Sequence, residues 1–400
     1  MRRRDFLKSS ALASSAFMVP SFLAGFQSNR LLGGHPGKKL VVIQLSGGND
    51  GLNTIVPYRN DLYYQNRPTL ALKDSEVLRV SDNLGFNPAL QSLRELYDNG
   101  LVGILNNVGY PNPDRSHFRS MDIWHTASDS TDYLSTGWIG RYLDTLCDGC
   151  DKPYHALEVD DGLSLALKGR QRNGFAVSDI PQLKRTTDSK LLKAVGQYGA
   201  STTHDEAGNV AYLYKVMADT QASAGYLHRQ LQTYRSKEEY PQTPFGKDLK
   251  QIAELMCADS DVRIYYVSLT GFDTHANQKP QQERLLRQYA DGMKAFVQDL
   301  KRNNLLDETL IMTFSEFGRR VKQNGSGGSD HGAANNLFLI GGSLKKAGFY
   351  NAAPDLSQLD DGDLKFDTDF RQIYATVLNR WLEADAGAIL GQSFMPLGFV

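Results

Sequence analysis

The stretch KKLVVIQLSGGNDG, residues 38–51, most constrains what this chain can fold into. Its central residues Leu40 to Leu45 are almost all apolar, and they do not alternate with polar residues. An apolar, β-branched run that ends in a Gly-Gly turn is typical of a central parallel strand buried on both faces. The stretch therefore predicts a sheet covered by helices on both sides.

Strands and helices are predicted to alternate along most of the chain. Strands are predicted at LVGILNNVGYP, DVRIYYVSLTGF, ETLIMTFSEFG and NLFLIGG. Helices are predicted at PALQSLRELYDNG, at ERLLRQYADGMKAFVQDLKRNN and at TDFRQIYATVLNRWLEAD, the last with Thr368 as N-cap and Trp381 facing the core. This order predicts a doubly wound, mostly parallel α/β sheet flanked by helices, with right-handed crossovers. We expect one domain over residues 37–400, with a helical insertion at about 180–245.

Composition and charge exclude one class of function. The 400 residues are 41% apolar, enough for a sizeable core, and the formal net charge is −1. No basic stripe with interleaved aromatic residues is present, so binding to nucleic acid is not expected.

The N-terminus has the features of an export signal. The basic start MRRRDFLK precedes SSALASSAFMVPSFLAG, an uncharged stretch rich in small residues. RRDFLK, with Arg3 and Arg4, fits the twin-arginine pattern, whose carriers cross the membrane folded. Residues 1–36 are therefore predicted to be a twin-arginine signal peptide and linker, read by the Tat translocation machinery on the way to the periplasm. The apolar stretch is shorter than the roughly 20 residues of a spanning helix, so no transmembrane segment is expected in the mature protein.

The three cysteines leave alternatives open. Cys147 and Cys150 form a C-x-x-C that could be redox-active, half of a zinc site or a small disulfide loop, and Cys257 stands alone. No second C-x-x-C and no thioredoxin-like βαβ context accompany the pair. In an oxidising compartment, a local disulfide or two idle thiols is favoured.

Acidic residues and histidines follow the predicted strands. Ligands of open α/β sheets bind outside the carboxyl ends of the strands. The residues at these ends are Asp50, then Asp114 with Ser116 and His117, then Asp273 with His275, then Glu316, and, before the last strand, Asp330 with His331. One acid at a strand end is commonly a turn former or a helix cap. Several carboxylates crowded in one crevice repel each other unless a cation neutralises them, so the pattern predicts a metal site.

Ser116 is predicted to stand at the start of a helix. Pro111 and Pro113 stiffen its approach, and HFRSMDIWHTAS then begins the helix. Free amides and the helix dipole favour an anion there, and a metal-bound serine alkoxide could attack a phosphorus or sulfur centre. The alternative is that Ser116 only caps the helix.

The order of these motifs resembles the alkaline phosphatase superfamily, which includes phosphatases and sulfatases. More closely, LSGGNDGLNTIVPY, DRSHF, GFDTH, SEFGR, SDHG and TDFRQIYATVLNRWL resemble the twin-arginine-exported family catalogued as domain of unknown function 1501. The resemblance covers nearly the whole chain after the signal peptide and implies an alkaline-phosphatase-like fold.

Carrying the superfamily's residues over requires an alignment. Because no histidine follows His331, the preferred alignment makes His331 the superfamily's late histidine. Glu316 then stands for the aspartate of the superfamily's Asp-His-Gly motif, and Phe317 stands for the histidine of that motif. One histidine is therefore missing. The resemblance implies two divalent ions. One would be held by Asp273, His275 and His331 and would suit zinc. The other would be held by Asp50, Ser116 and Glu316 and would suit magnesium, calcium or manganese. Asp330 would bridge the ions or support His331.

The sequence thus favours an exported, metal-dependent hydrolase of phosphate or sulfate esters with Ser116 as nucleophile. Its substrate would be a small anionic ester or a sulfated or phosphorylated glycan. The alternative is a non-catalytic envelope protein of the same fold that binds a cation or a glycan in the acidic crevice.

Overall fold

The stretch after Lys38 forms the central strand of a large sheet. In the computed structural model, which describes residues 37–146, 155–190, 192 and 209–400, this strand is β1, Lys39–Ser46. The other strands, in chain order, are β2 (Ile55–Val56), β3 (Leu78–Arg79), β4 (Gly85–Phe86), β5 (Val102–Gly109), β6 (Ala156–Val159), β7 (Phe175–Ala176), β8 (Ile264–Thr270), β9 (Thr309–Phe314), β10 (Asn335–Ile340), β11 (Gly348–Phe349), β12 (Leu359–Asp360), β13 (Asp363–Leu364) and β14 (Thr368–Asp369).

The main sheet has the strand order β11-β5-β10-β9-β1-β8-β6-β7, with β14 also paired to β5. β1 pairs in parallel with β8 and with β9, and the pairs of β6 with β8 and with β7 are parallel as well. β10 alone among the described strands of this sheet runs antiparallel to its neighbours β5 and β9. The predicted mostly parallel sheet is therefore confirmed, with one antiparallel strand inside it.

Helices cover both faces of this sheet. In chain order they are α1 (Gly51–Thr54), α2 (Asp61–Asn66), α3 (Gln91–Asp98), α4 (His117–Thr126), α5 (Trp138–Asp144), α6 (Ile180–Thr187), α7 (Asn209–Thr233), α8 (Pro244–Cys257), α9 (Gln278–Arg302), α10 (Phe370–Thr376) and α11 (Ala386–Leu390), with a π-helical turn at Val377–Trp381. The described residues between β7 and β8 contain α6, α7 and α8 and no strand; α6 and α7 lie within the segment of about 180–245 predicted as a helical insertion, and α8 begins at its end.

The strands have two apolar faces, as the β1 sequence predicts. Val41 and Ile43 belong to a buried cluster that includes the apolar faces of α3, α8 and α9. Leu40 and Val42 belong to a second cluster with residues of α4, α5 and α10. Since each fully buried aliphatic side chain contributes about 1.5–3 kcal/mol, both faces of β1 stabilise the layered α/β/α arrangement.

The antiparallel direction of β10 decides which loops share an edge. The carboxyl ends of β1, β5, β8 and β9 lie at one edge of the sheet, because these strands run in the same direction. β10 runs the opposite way, so its amino end lies at that same edge. The loop before β10, which carries Asp330 and His331, therefore joins the loops that follow the parallel strands.

One local prediction at the last helix is wrong. The N-cap of α10 is Asp369, whose carboxylate accepts from the Arg371 amide while Gln372 completes a capping box. Thr368 lies one residue before the N-cap, and its hydroxyl is hydrogen-bonded to Asn351 and Asp367 instead. Trp381 faces the core as predicted: it is buried, and its indole N–H donates to the Lys39 carbonyl.

Some predictions fall on residues that the structure does not describe. The signal peptide at residues 1–36 and the pair Cys147 and Cys150 lie outside the described residues. Cys257 is a free, half-buried thiol. Among the described helices, none has both the length and the apolar character needed to cross a membrane.

Candidate metal centre

Four segments bring imidazoles and carboxylates together at the shared edge of the sheet. His117 is the first residue of α4, Asp273 and His275 follow β8, Glu316 follows β9, and Asp330 and His331 precede β10.

Each of the three histidines has its Nδ1 atom held by an oxygen. The pairs are His117 Nδ1 with Glu316 Oε1 at 2.9 Å, His275 Nδ1 with Asp330 Oδ1 at 3.1 Å, and His331 Nδ1 with the Arg115 carbonyl at 2.7 Å. Carbonyl and ionised carboxylate oxygens can only accept, so Nδ1 is the donor in each pair. The network thus assigns the Nε2 atom of each neutral ring as the one with a lone pair.

The three Nε2 atoms converge on one carboxylate oxygen, Asp273 Oδ1. The distances are 3.0 Å from His275, 3.2 Å from His331 and 3.4 Å from His117. The Nε2 atoms of His275 and His331 are 2.9 Å apart, and His117 Nε2 is a buried atom without a hydrogen-bond partner. Lone pairs that face each other and an ionised carboxylate repel, so the arrangement needs a proton or a cation among these atoms.

The donor set fits a transition metal ion. Three imidazole nitrogens with one carboxylate oxygen are ligands that zinc accepts, and ligand atoms around a tetrahedral zinc lie about 3.3 Å apart. Ligand atoms of His117, Asp273 and His331 lie within 4.8 Å of one another, and this group does not include His275, whose Nε2 contacts Asp273 Oδ1 and His331 Nε2. Oxygens bonded to the opposite ring nitrogens would orient the rings and fix their tautomers, as they do at metal sites generally.

The electrostatics of the site keep Asp273 ionised. Partial burial opposes its charge, but the hydrogen bond and the positive charge of Arg319 lead the effects that outweigh burial, and the pKa of Asp273 is lowered to about 2. The hydrogen bond to Glu316 raises the pKa of His117 above its ordinary value. Burial lowers the pKa of His331. The side chains of Asp273 and His275 are 48% and 45% exposed, so solvent and ligands can reach the centre.

Arg319 organises the loops from beneath the centre. Its guanidinium is buried and donates to the carbonyls of Gly47, Gly48, Phe272 and Ser329 and to Asp273 Oδ1 at 2.8 Å. These acceptors belong to the loops after β1 and β8 and to the loop before β10. One side chain therefore fixes three loops. No role was expected of Arg319 from the sequence, although it ends the motif SEFGR.

Phe317 occupies the place where the superfamily alignment expects a histidine. It is buried, and its ring centroid lies 4.8 Å from that of His117 and 4.6 Å from that of His331. Phe317 thus supports two of the imidazoles by packing. The third imidazole of the cluster comes from His117, which lies at a predicted strand end and to which the sequence assigns no role.

The Gly-rich loop NGSGGS, residues 324–329, runs directly against the backbone of the loop after β8. A Cβ on Gly328 would lie 2.3 Å from the His275 carbonyl carbon, so only glycine lets the loop pass there. Asn324 donates to the His275 carbonyl and to Asp330 Oδ1, and its own oxygen accepts from the Ser326 and Gly328 amides. Asp330 faces His275 through this loop, whereas the family resemblance implied that it would bridge two ions or support His331.

Asp50 and Glu316, two of the three residues predicted to hold a second ion, each bind groups of the protein. Asp50 is buried in an ion pair with Arg67 at 2.5 Å. Glu316 is buried and holds His117 instead, accepting also from the Gly47 amide. Ser116 is exposed at the N-cap of α4, where its hydroxyl makes no capping hydrogen bond.

Fold and site together define an α/β protein with a cluster of three histidines and an aspartate at the carboxyl edge of its sheet. The chain belongs to the family described as "Protein of unknown function (DUF1501)", whose model matches residues 104–388. No curated protein sequence matches the chain.

Several solved structures are similar to this chain at low identity. A phosphonate monoester hydrolase from Silicibacter pomeroyi has 9% identity and a TM-score of 0.41, over 90% of this chain and 77% of that one. The C-terminal periplasmic domain of EcEptC from Escherichia coli has 11% identity and a TM-score of 0.39, over 90% and 87%. The PsFucS1 sulfatase from Pseudoalteromonas sp. has 11% identity and a TM-score of 0.36, over 89% and 68%. Similarities of this size leave the function of this chain to be argued from its own residues.

Proposed function

We propose that the protein is an exported, metal-dependent hydrolase of phosphate or sulfate esters with Ser116 as its nucleophile. One observation carries this proposal: three Nδ1-held imidazoles direct their Nε2 atoms at Asp273 Oδ1. Such a cluster costs free energy unless a proton or a cation sits among the ligands, and we propose that a divalent cation does so. His117, Asp273, His275 and His331 would hold the ion, and Glu316 and Asp330 would orient two of the rings.

A bound divalent ion would supply Lewis acidity toward an ester oxygen and toward the serine hydroxyl. The chain itself would bind and orient the anion. The first-turn amides of α4 have no partners within the helix, and α4 is ten residues long, so its N-terminus favours a phosphate or sulfate group. Because Ser116 is exposed and does not cap the helix, its hydroxyl is free to meet such a ligand.

The position of Ser116 in the chain supports its role. The residue before it, Arg115, gives its carbonyl to His331, and the residue after it, His117, is part of the cluster. Ser116 is therefore held on both sides by groups that contact the centre. The substrate we propose is a small anionic ester or a sulfated or phosphorylated glycan, since the half-exposed centre can admit one end of a longer molecule.

Ser116→Ala tests the nucleophile. We expect it to abolish hydrolysis of aryl phosphate or aryl sulfate while metal content and vanadate binding persist. A matched control is Thr243→Ala, because Thr243 does cap its helix, accepting from the Gly246 amide at 3.1 Å. That change should cost about 1 kcal/mol of stability and leave turnover intact. Full turnover by Ser116→Ala would remove the serine from the mechanism.

A non-catalytic envelope protein that binds a cation is the second candidate. The observation that favours it is the Asp50–Arg67 ion pair, which engages a carboxylate that the hydrolase assignment expected at the active centre. Wild-type protein that holds a metal ion at the histidine cluster, yet hydrolyses neither ester with any divalent metal, would favour this candidate.

Export is the other part of the proposal, and it rests on the sequence of residues 1–36. Replacing both Arg3 and Arg4 by lysine should leave the protein in the cytoplasm, because the twin-arginine receptor recognises both guanidinium groups. Cell fractionation measures this directly. Normal amounts of the Lys-Lys variant in the periplasm would show that export follows another route.

A further inference from the structure

The second metal ion implied by the superfamily resemblance does not fit the residues that would hold it. That ion would need free oxygens on Asp50 and Glu316. Asp50 lies in the loop after β1, is buried, and acts as the N-cap of α1. The contacts of its carboxylate decide whether an ion could be bound there.

Both carboxylate oxygens of Asp50 are already engaged. Oδ1 accepts from the amides of Leu52 at 3.2 Å and Asn53 at 3.4 Å. Oδ2 accepts from Arg67 Nη1 at 2.5 Å and from Gln278 Nε2. A carboxylate offers about four lone-pair sites, so these four donors leave none for a cation.

Several further hydrogen bonds hold Arg67 in its position beside Asp50. Its side chain is fully buried, and it also donates to the carbonyls of Val321 and Arg320, each at 2.9 Å, and to Asn53 Oδ1 at 2.9 Å. A guanidinium stays charged at any pH at which the protein is folded. A metal ion near Asp50 would therefore meet a fixed positive charge held by four acceptors.

The carboxylate of Glu316 also accepts hydrogen bonds from groups of the protein. Its buried Oε1 accepts from the Gly47 amide at 2.8 Å and from His117 Nδ1 at 2.9 Å. The carboxylate thus orients a histidine of the first centre. Its other oxygen, Oε2, accepts among the described residues only from the Ser315 hydroxyl at 3.4 Å, so the absence of a second ion is inferred mainly from Asp50.

We infer that the Arg67 guanidinium permanently takes the place of a second cation beside Asp50, so that the protein is a one-metal protein. This inference rests on the proposed metal centre at the histidines. Asp50 then has a structural role, since with Arg67 and Gln278 it joins the loop after β1, the end of α2 and the start of α9. The positive charge that a second ion would bring is supplied by the chain, in a buried position beside α1.

Metal stoichiometry tests the inference. Metal-free wild-type protein titrated with Co²⁺ should show visible absorption that saturates at one equivalent, and zinc-loaded protein passed over chelating resin should retain one zinc per chain. His331→Ala should lose that equivalent. Asp50→Asn should keep it, while its melting temperature falls because Arg67 loses a buried counter-charge. Asp74→Asn, which breaks an exposed pair with Arg79, is the control and should change neither quantity.

The outcomes separate the inference from the proposed function. Two tightly held equivalents in the wild type, one of which disappears in Asp50→Asn, would overturn the inference and leave the hydrolase proposal standing. If Asp50→Asn does not fold, saturation of the wild-type cobalt spectrum at two equivalents overturns it as well. Protein that holds no metal under any condition overturns the metal centre and, with it, the inference.

Discussion

His117 shows how much a single side chain can contribute to this site. Its Nδ1 is held by the buried Glu316 and its Nε2 is buried without a hydrogen-bond partner. A buried polar atom without a partner costs about 1–3 kcal/mol, which a ligand on Nε2 would recover.

Removing the charge of Glu316 should weaken metal binding. Glu316→Gln keeps the shape of the side chain but holds His117 less firmly, and losing such a partner lowers metal affinity by about 10–100-fold. Competition with a chromophoric zinc chelator measures the change. Asp330→Asn is the matched comparison, and it should have the smaller effect because Asp330 is 59% exposed whereas Glu316 is fully buried. Wild-type zinc affinity in Glu316→Gln would contradict the supporting role.

Glu158 on β6 should make stability fall as pH rises. Burial raises its pKa to about 7, against a lowering effect of the Ser164 amide hydrogen bond. The folded state thus holds its proton more tightly than the unfolded state, whose pKa is about 4.5. At a pH below that value the carboxyl group is protonated in both states and does not lower the free energy of unfolding. As the pH rises from there to the folded-state pKa, the free energy of unfolding falls.

Glu158→Gln should remove this dependence, since the amide oxygen can still accept from Ser164. Urea unfolding at pH 8 should show the variant more stable by up to about 3 kcal/mol, with little difference at pH 4. Glu95→Gln, at a residue 46% exposed and paired with Lys294, is the control and should show no such pH-dependent gain. A constant difference between pH 4 and pH 8 would show that Glu158 does not titrate as described.

At the scale of elements, the strand-end loops are built to touch one another. Gly47 has φ of 117°, and a Cβ there would lie 2.4 Å from the Asp273 amide nitrogen. The loop after β1 therefore runs directly against the loop after β8. Arg319 then ties both loops to the segment before β10.

Gly47→Ala should be far more damaging than Gly100→Ala. Both glycines have positive φ, but a Cβ on Gly100 would meet nothing within 4 Å. Gly100→Ala should cost about 1 kcal/mol of backbone strain. Gly47→Ala adds a collision with backbone, so about 3 kcal/mol or more is expected, together with weaker zinc binding because Asp273 must move. Equal losses of unfolding free energy would mean that the loops are not in contact.

At the scale of the whole molecule, the centre joins parts of the chain that are far apart in sequence. His117 begins α4, Asp273 and His275 follow β8, and His331 precedes β10. An ion bound by all of them would bind the folded chain and not the unfolded one. Stability should then depend on metal concentration.

Zinc at about 1,000 times its dissociation constant should stabilise the fold by about 4 kcal/mol, a shift of several degrees in Tm. A chelator should reverse the shift. The Tm of His275→Ala should be close to that of the metal-free wild type, because the His275 side chain is half-exposed and contributes little packing. Its Tm should not change when zinc is added, because a ligand of the ion is missing. His155→Ala, outside the cluster, should keep the full response. A Tm that is the same with zinc and with chelator would exclude the centre.

The sequence by itself determined most of the strands and helices and the edge at which the histidine cluster lies. The apolar run of β1 encodes a strand buried on both faces, and the acids and histidines that follow the predicted strands mark the edge of that cluster. Asp273, His275 and His331 could be found in this way because strand ends and Gly-rich loops are local patterns. The sequence-based prediction of the N-cap of α10 was wrong, since Asp369 and not Thr368 is the N-cap.

Only the tertiary structure decided which of these side chains meet. The antiparallel direction of β10 places His331 at the shared edge, and strand direction depends on packing between distant segments rather than on local periodicity. Asp50 and Arg67 are ordinary charged residues in the sequence, and nothing in their spacing indicates a buried pair. A carboxylate binds whichever positive group or donor the fold brings to it. The three-dimensional arrangement places Arg67 beside Asp50 and three histidines beside Asp273.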